Sequence, residues 1–245
     1  MFRHKGKRRT FSHNLRLASS LSLIAGIVNI AGVLSVATLT TNVTGHFAFF
    51  AEEIALKNYA KAVTIIIYIF FFLFGAFNSN FIVEIVSIKK PRIAHAFPMF
   101  IEVLILTFVG LSQNLNPNYI AYVLLFAMGL QNALVTNISQ SVVRTTHLTG
   151  LFTDLGIELS QLFFYKKETE LKRLTRNISL RLSIITFFFI GCVSGGLLYQ
   201  TFKLKILVFA AVILIIALFF DNIKVYYHLT KRKIKSSFHD ETHHH

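Results

Sequence analysis

GIVNIAGVLSVATLTTNVTGHFAFFAEE (residues 26–53) and GLQNALVTNISQSVVRTTHLTGLFTDLGIE (residues 129–158) are two copies of one pattern. Each reads G-x-x-N, a gap, T-x-x-T-G, and a glutamate eight residues beyond the last glycine. Gly26, Asn29, Thr41, Thr44, Gly45 and Glu53 in the first copy answer to Gly129, Asn132, Thr146, Thr149, Gly150 and Glu158 in the second. Self-similarity over a long period marks an architecture made of related halves. The polar residues of both copies lie in or beside apolar sequence, where a polar group is costly unless it is paired or solvated for a purpose. The duplicated motif is therefore the candidate working part.

The surrounding chain is too apolar for an average soluble domain: 54% of its 245 residues are hydrophobic and 26 are Phe. It reads as a membrane protein. Trp is absent, so anchoring at the bilayer surface falls to eight Tyr and to Lys and Arg. The net charge of +14 does not point to nucleic acid, because the cations sit in short clusters between apolar runs. The single cysteine, Cys192, cannot form an internal disulfide and lies in an apolar run, as a small buried hydrophobe would. The basic N-terminus leads into an apolar run long enough to span, without a clear cleavage site, and is read as an uncleaved first helix. His243 to His245 resemble an expression tag and carry no metal argument.

About 20 apolar residues are needed to cross a bilayer as a helix. Six segments meet this: 17–39, 61–83, 93–112, 118–137, 178–199 and 204–223. Two shorter ones, 45–57 and 150–165, carry carboxylates and are expected to be re-entrant half-helices. With six spans, only Lys57, Lys61, Lys203 and Lys205 of the 25 Lys and Arg fall outside, in keeping with the positive-inside rule. The expected fold is all-α and integral to the membrane: six transmembrane helices in a three-plus-three inverted repeat with two re-entrant half-helices. Its parts are a basic cytoplasmic segment (1–16), a first repeat (17–112), an outer linker (113–117), a second repeat (118–227) and a basic cytoplasmic tail (228–245). The stretch from Lys166 to Arg176 has no counterpart in the first half and is read as a solvated insertion.

Thr44 and Thr149 precede a glycine and a helix-compatible run, so each is expected to cap a helix start and leave further N–H groups as donors. Two such starts facing each other near the midplane would make a site for a small polar or anionic solute. The expected substrate-binding residues are Asn29, Thr41, Thr44, Gly45, Gln131, Asn132, Thr146, Thr149 and Gly150. For Asn29, Gln131 and Asn132, hydrogen bonding between helices is the competing role. Glu53 and Glu158, two turns into their helices, are expected to be proton-linked or gating groups, with Arg144 as a carboxylate partner or anion holder. Gly26, Gly32, Gly191 and Gly195 mark close helix packing. Glu102, with His95 seven residues before it, is a second candidate proton site. His46 and His147 lack the further ligands a metal site needs, so no metal or cofactor is expected. No nucleophile elbow, phosphate loop, HExxH or CxxC supports an enzyme. The alternative to a transporter or channel is a non-transporting scaffold or partner subunit whose motif serves packing. The expected partners are the bilayer and the solute, with a homodimer also allowed.

The stretches Ala25–Asn29, Val43–His46, Gly129–Ala133 and Arg144–Gly150 together resemble the YoaK family of bacterial inner-membrane proteins, a domain of unknown function. The resemblance covers about residues 15–225 and implies a multi-pass protein of the bacterial cytoplasmic membrane, in which the positive-inside distribution of Lys and Arg is expected to place both termini in the cytoplasm. It implies no substrate. The family pattern often has aspartate at the position of Asn29 and asparagine at that of His46, so an intramembrane carboxylate is replaced here.

Overall fold

A computed structural model describes residues 10–91 and 93–219 of the chain. The cationic segment 1–9, Arg92, the end of the sixth apolar segment and the C-terminal tail with its histidines lie outside the described residues. The described residues are helical, without strands: α1 (Phe11–Val36), α2 (Val43–Ala55), α3 (Tyr59–Lys89), α4 (Ala96–Leu111), α5 (Pro117–Ser139), α6 (Leu148–Gln161) and α7 (Glu168–Phe202). A 3-10 turn, Lys203–Lys205, then leads into helical residues 206–219.

Four helical stretches are long and apolar enough to cross a membrane: Phe11–Val36, Tyr59–Lys89, Pro117–Ser139 and Glu168–Phe219. This differs from the six segments expected, for two physical reasons. The third expected segment folds as a helix of only 16 residues, about 24 Å long, shorter than a hydrocarbon core of about 30 Å. The fifth and sixth form one continuous apolar stretch, interrupted only where Lys203 takes a positive φ of 50°. There the chain turns, because Ile206, Leu207, Ala210, Ala211 and Leu214 return to the common core. A Cβ on Gly110 of α4 would come within 3.1 Å of the Val208 nitrogen, so α4 and residues 206–219 meet closely. The stretch 166–176 is mostly exposed. From Glu168 onward it forms the first turns of α7, where Glu168 and Glu170 complement the positive end of the helix dipole.

The bundle is held by exchange between the sequence halves. α1 packs along α7 and α3 along α5. Ser19 shares a 2.8 Å hydrogen bond with Ser183, and a Cβ on Gly26 or Gly191 would strike the opposing backbone at Phe188 or Leu23; rising numbers meet rising numbers, so α1 and α7 are parallel. The same holds for α3 and α5. Tyr68 donates to Asn118 at 3.1 Å, Gly75 and Gly129 lie against Phe126 and Phe72, and Asn137 donates to Asn80 at 2.6 Å. Glycine is required at these crossings because the backbones approach too closely for a methyl group. α1 and α5 are antiparallel: Gln131 reaches the Leu21 carbonyl, while Val36 packs near Ala121 and Leu125.

The outer surface is apolar. Along α3, Phe70, Phe77 and Phe81 are more than half exposed, with Phe70 stacked on Phe74 and Phe77 on Phe81. An apolar stripe of this length would be unfavourable in water and is satisfied by lipid. The described residues form an all-helical bundle of a membrane-spanning protein.

Candidate functional site

Both copies of the motif fold the same way. α1 ends at Ala37 and α5 at Gln140, each in the left-handed region with φ of 52° and 53°. The chain then runs back in a short irregular segment before α2 or α6 begins. In the first copy the Asn29 side-chain oxygen accepts from the Thr40 N–H at 3.2 Å and the Thr41 hydroxyl at 2.9 Å. In the second, the Asn132 oxygen accepts from the Thr146 hydroxyl at 2.8 Å and the Thr145 hydroxyl at 3.4 Å. The motif asparagine thus ties the returning segment to the helix it has just left. Gly32 belongs to this arrangement and not to helix packing: a Cβ there would collide with Thr40 and approach the Thr38 carbonyl.

The expected caps are corrected. α2 begins at Val43 and its cap is Asn42, which accepts from the Gly45 N–H at 3.1 Å. α6 begins at Leu148, with His147 at the capping position and no side-chain cap bond. Thr44 and Thr149 are therefore the second residue of each helix, both exposed. An asparagine one turn before the glycine was the available signal, since Asn caps as well as Thr.

Each motif glutamate is buried and paired with a cation from the next long helix. Glu53 forms an ion pair with Lys61 of α3. Glu158 receives a fork from Arg181 of α7, Nε at 2.7 Å and Nη2 at 2.9 Å, while Nη1 reaches Asp154 at 2.9 Å. Bidentate guanidinium pairs of this kind fix geometry as well as charge. Arg181 is a partner that the sequence does not point to, because Glu158 and Asp154 lie on the preceding helix.

The two helix starts are not brought into one packed site. α2 packs on α3 and α6 on α7; among the described residues α2 and α6 do not pack together. Because Gln131 donates to Leu21 at 3.0 Å on an antiparallel helix, Asn132 sits near the level of Leu21 and about 12 Å in depth from Asn29. The copies thus serve different levels of the bundle. At the first, His46 is buried, with Nε2 2.7 Å from the Leu39 carbonyl and its ring edge-on to Tyr68. At the second, Gly150 opens on a cavity of about 370 Å³ whose walls include Arg144, His147, Asp154 and Arg181. Arg144 is exposed, and Gln131 is buried with its amide oxygen lacking a protein partner. Glu102 of α4 is fully buried, and neither carboxyl oxygen has a hydrogen-bond partner among the described residues. No group of three or more His, Cys, Asp or Glu suited to a metal ion occurs among the described residues.

A family model described as a protein of unknown function, DUF1275, matches residues 17–220. The chain belongs to the DUF1275 family. The match spans both motif copies and every helix from within α1 to the end of residues 206–219, so the tied segments lie inside the family domain. No curated protein and no solved structure matches the chain.

Proposed function

We propose that this DUF1275 protein is a secondary transporter or channel for a small polar or anionic solute, and that it is of the YoaK type in a bacterial inner membrane. On this reading it has six spans in a three-plus-three inverted repeat, both termini cytoplasmic, with α2 and α6 as re-entrant half-helices. The observation that carries it is the doubled break. In each half a long apolar helix stops, returns as a segment tied by its motif asparagine, and restarts as a helix of about 20 Å, too short to cross. Discontinuous helices in antiparallel-related repeats are the way membrane transporters place backbone donors and polar side chains at membrane depth. The antiparallel setting of α1 and α5 supports the inverted relation. The cavity at Gly150, with Arg144 at its rim and the uncapped start of α6 behind it, favours an anion.

The glutamates then act as gates through their ion pairs: Glu53 with Lys61 near one end, Glu158 with Arg181 at the other. Opening either level requires that its pair be broken or protonated. The chemistry is not enzymatic on this reading, and no cofactor is invoked.

The test is flux in proteoliposomes, measured as current on a solid-supported membrane with chloride, phosphate, formate and acetate in turn. At least one anion is expected to give current well above protein-free vesicles. Arg144→Gln and Glu158→Gln should reduce that current about tenfold or more while the protein remains monodisperse. Absence of current for every solute, together with instability only in Gly45→Leu or Gly150→Leu, would favour the scaffold reading instead.

A further inference from the structure

The cavity at Gly150 has a shallower neighbour. A second cavity, of about 410 Å³, lies between the start of α1 and the first turns of α7 and shares Val142, Asn177 and Leu180 with the deeper one. Its lining includes three cations, Lys172, Arg173 and Arg176, and no carboxylate. Phe11 and Asn14 line its α1 side. Arg176 holds its guanidinium 5.1 Å over the Phe11 ring, which orients a planar donor at an apolar wall. Lys172 also lies 3.9 Å from Glu168, but both side chains are largely exposed and such a pair is weak.

Depth identifies the ligand. Phe11 and Asn14 stand just ahead of the buried apolar run that begins at Leu17, and Arg173, Arg176 and Asn177 just ahead of the run that begins at Ile178. The cavity therefore sits where two parallel spans enter the bilayer, at the level of lipid phosphates. Basic pockets between transmembrane helices at that level recognise anionic head groups, and guanidinium forks match phosphate oxygens. We infer that this cavity is a binding site for the phosphate of an anionic phospholipid. Lys172, Arg173 and Arg176 surround the phosphate, Asn14 and Asn177 supply neutral donors, and Phe11 faces the apolar side of the head group. The site does not depend on the transport reading, since it needs no passage through the bundle.

Thermal unfolding of the full chain in mild detergent tests this, with phosphatidylglycerol, phosphatidylcholine or glycerol 3-phosphate added. Phosphatidylglycerol is expected to raise the unfolding temperature by several degrees, and phosphatidylcholine not to. The shift should disappear in Lys172→Gln/Arg173→Gln/Arg176→Gln and persist in Lys89→Gln/Lys90→Gln, which removes exposed cations at the end of α3. All three cavity cations are exposed, so the core is untouched; should the triple variant aggregate, Arg173→Gln alone is expected to lose a clear part of the shift. Equal shifts from both lipids, or a full shift in the cavity variants, would overturn the site. An equal shift from glycerol 3-phosphate at the same concentration would overturn the lipid assignment in favour of a soluble phosphate.

Discussion

Gly129 and Gly156 are both helical, and they differ in what surrounds them. A Cβ on Gly129 would collide with the Phe72 carbonyl oxygen and stand 3.1 Å from the Ala76 nitrogen, both parts of a helix backbone that cannot swing aside. A Cβ on Gly156 would meet nothing within 4 Å. Overpacking against backbone costs about 1–3 kcal/mol, whereas Ala in an open helical position gains up to about 1 kcal/mol over Gly. Gly129→Ala should therefore lower the unfolding temperature followed by circular dichroism at 222 nm, and Gly156→Ala should leave it level or raise it. Equal behaviour of the two would remove the close α3–α5 crossing. The residue scale was partly legible from sequence: Gly26, Gly191 and Gly195 do mark close packing. Gly32 instead meets the returning segment, a fold-back on α1 that sequence does not show, and Asn42 caps α2 although Thr44 stands nearer the glycine.

At the scale of elements, α6 is tied to α7 through one guanidinium. Arg181 serves Glu158 and Asp154 together, with the Glu158 carboxylate buried beneath it. Removing one partner of a buried pair leaves an uncompensated charge and costs about 3–5 kcal/mol, more than removing both. Arg181→Met should thus be strongly destabilising, while Arg181→Met/Glu158→Gln recovers much of the loss; a double-mutant cycle on detergent-solubilised protein reads the coupling. Additive losses would mean that the fork contributes little. Both short helices were visible in the sequence by length and by their carboxylates, because a polar residue in an apolar run stands out. Their neighbours were not. Apolar periodicity tells which face of a helix is covered but not by which helix, so the crossing of α1 onto α7 and of α3 onto α5, each joining opposite halves, could not be read. The same limit hid Arg181, whose partners lie across a helix boundary.

For the whole molecule, the directions of the helices constrain the topology. α1 and α7 run together, α3 and α5 run together, and α1 opposes α5. An α2 that crossed fully would place α3 parallel to α1, and an α6 that crossed fully would place α7 parallel to α5, both against this arrangement, whereas a helix of 13 or 14 residues that enters and returns is compatible with it. The loop around Lys89 and the rim at Arg144 should then share one face of the membrane, and Ser112 and Lys203 the other. Single cysteines at these four positions, in a Cys192→Ser background, can be probed in right-side-out and inverted vesicles with a membrane-impermeant maleimide. Lys89→Cys and Arg144→Cys are expected to label from the same side, and Ser112→Cys and Lys203→Cys only from the opposite side. Labelling of Lys89→Cys and Ser112→Cys from one side would mean that α4 does not cross and that there is no three-plus-three inverted repeat. Labelling as expected would make the short α4 a true span, with the bilayer thinned or the flanking residues drawn in to match its 24 Å length.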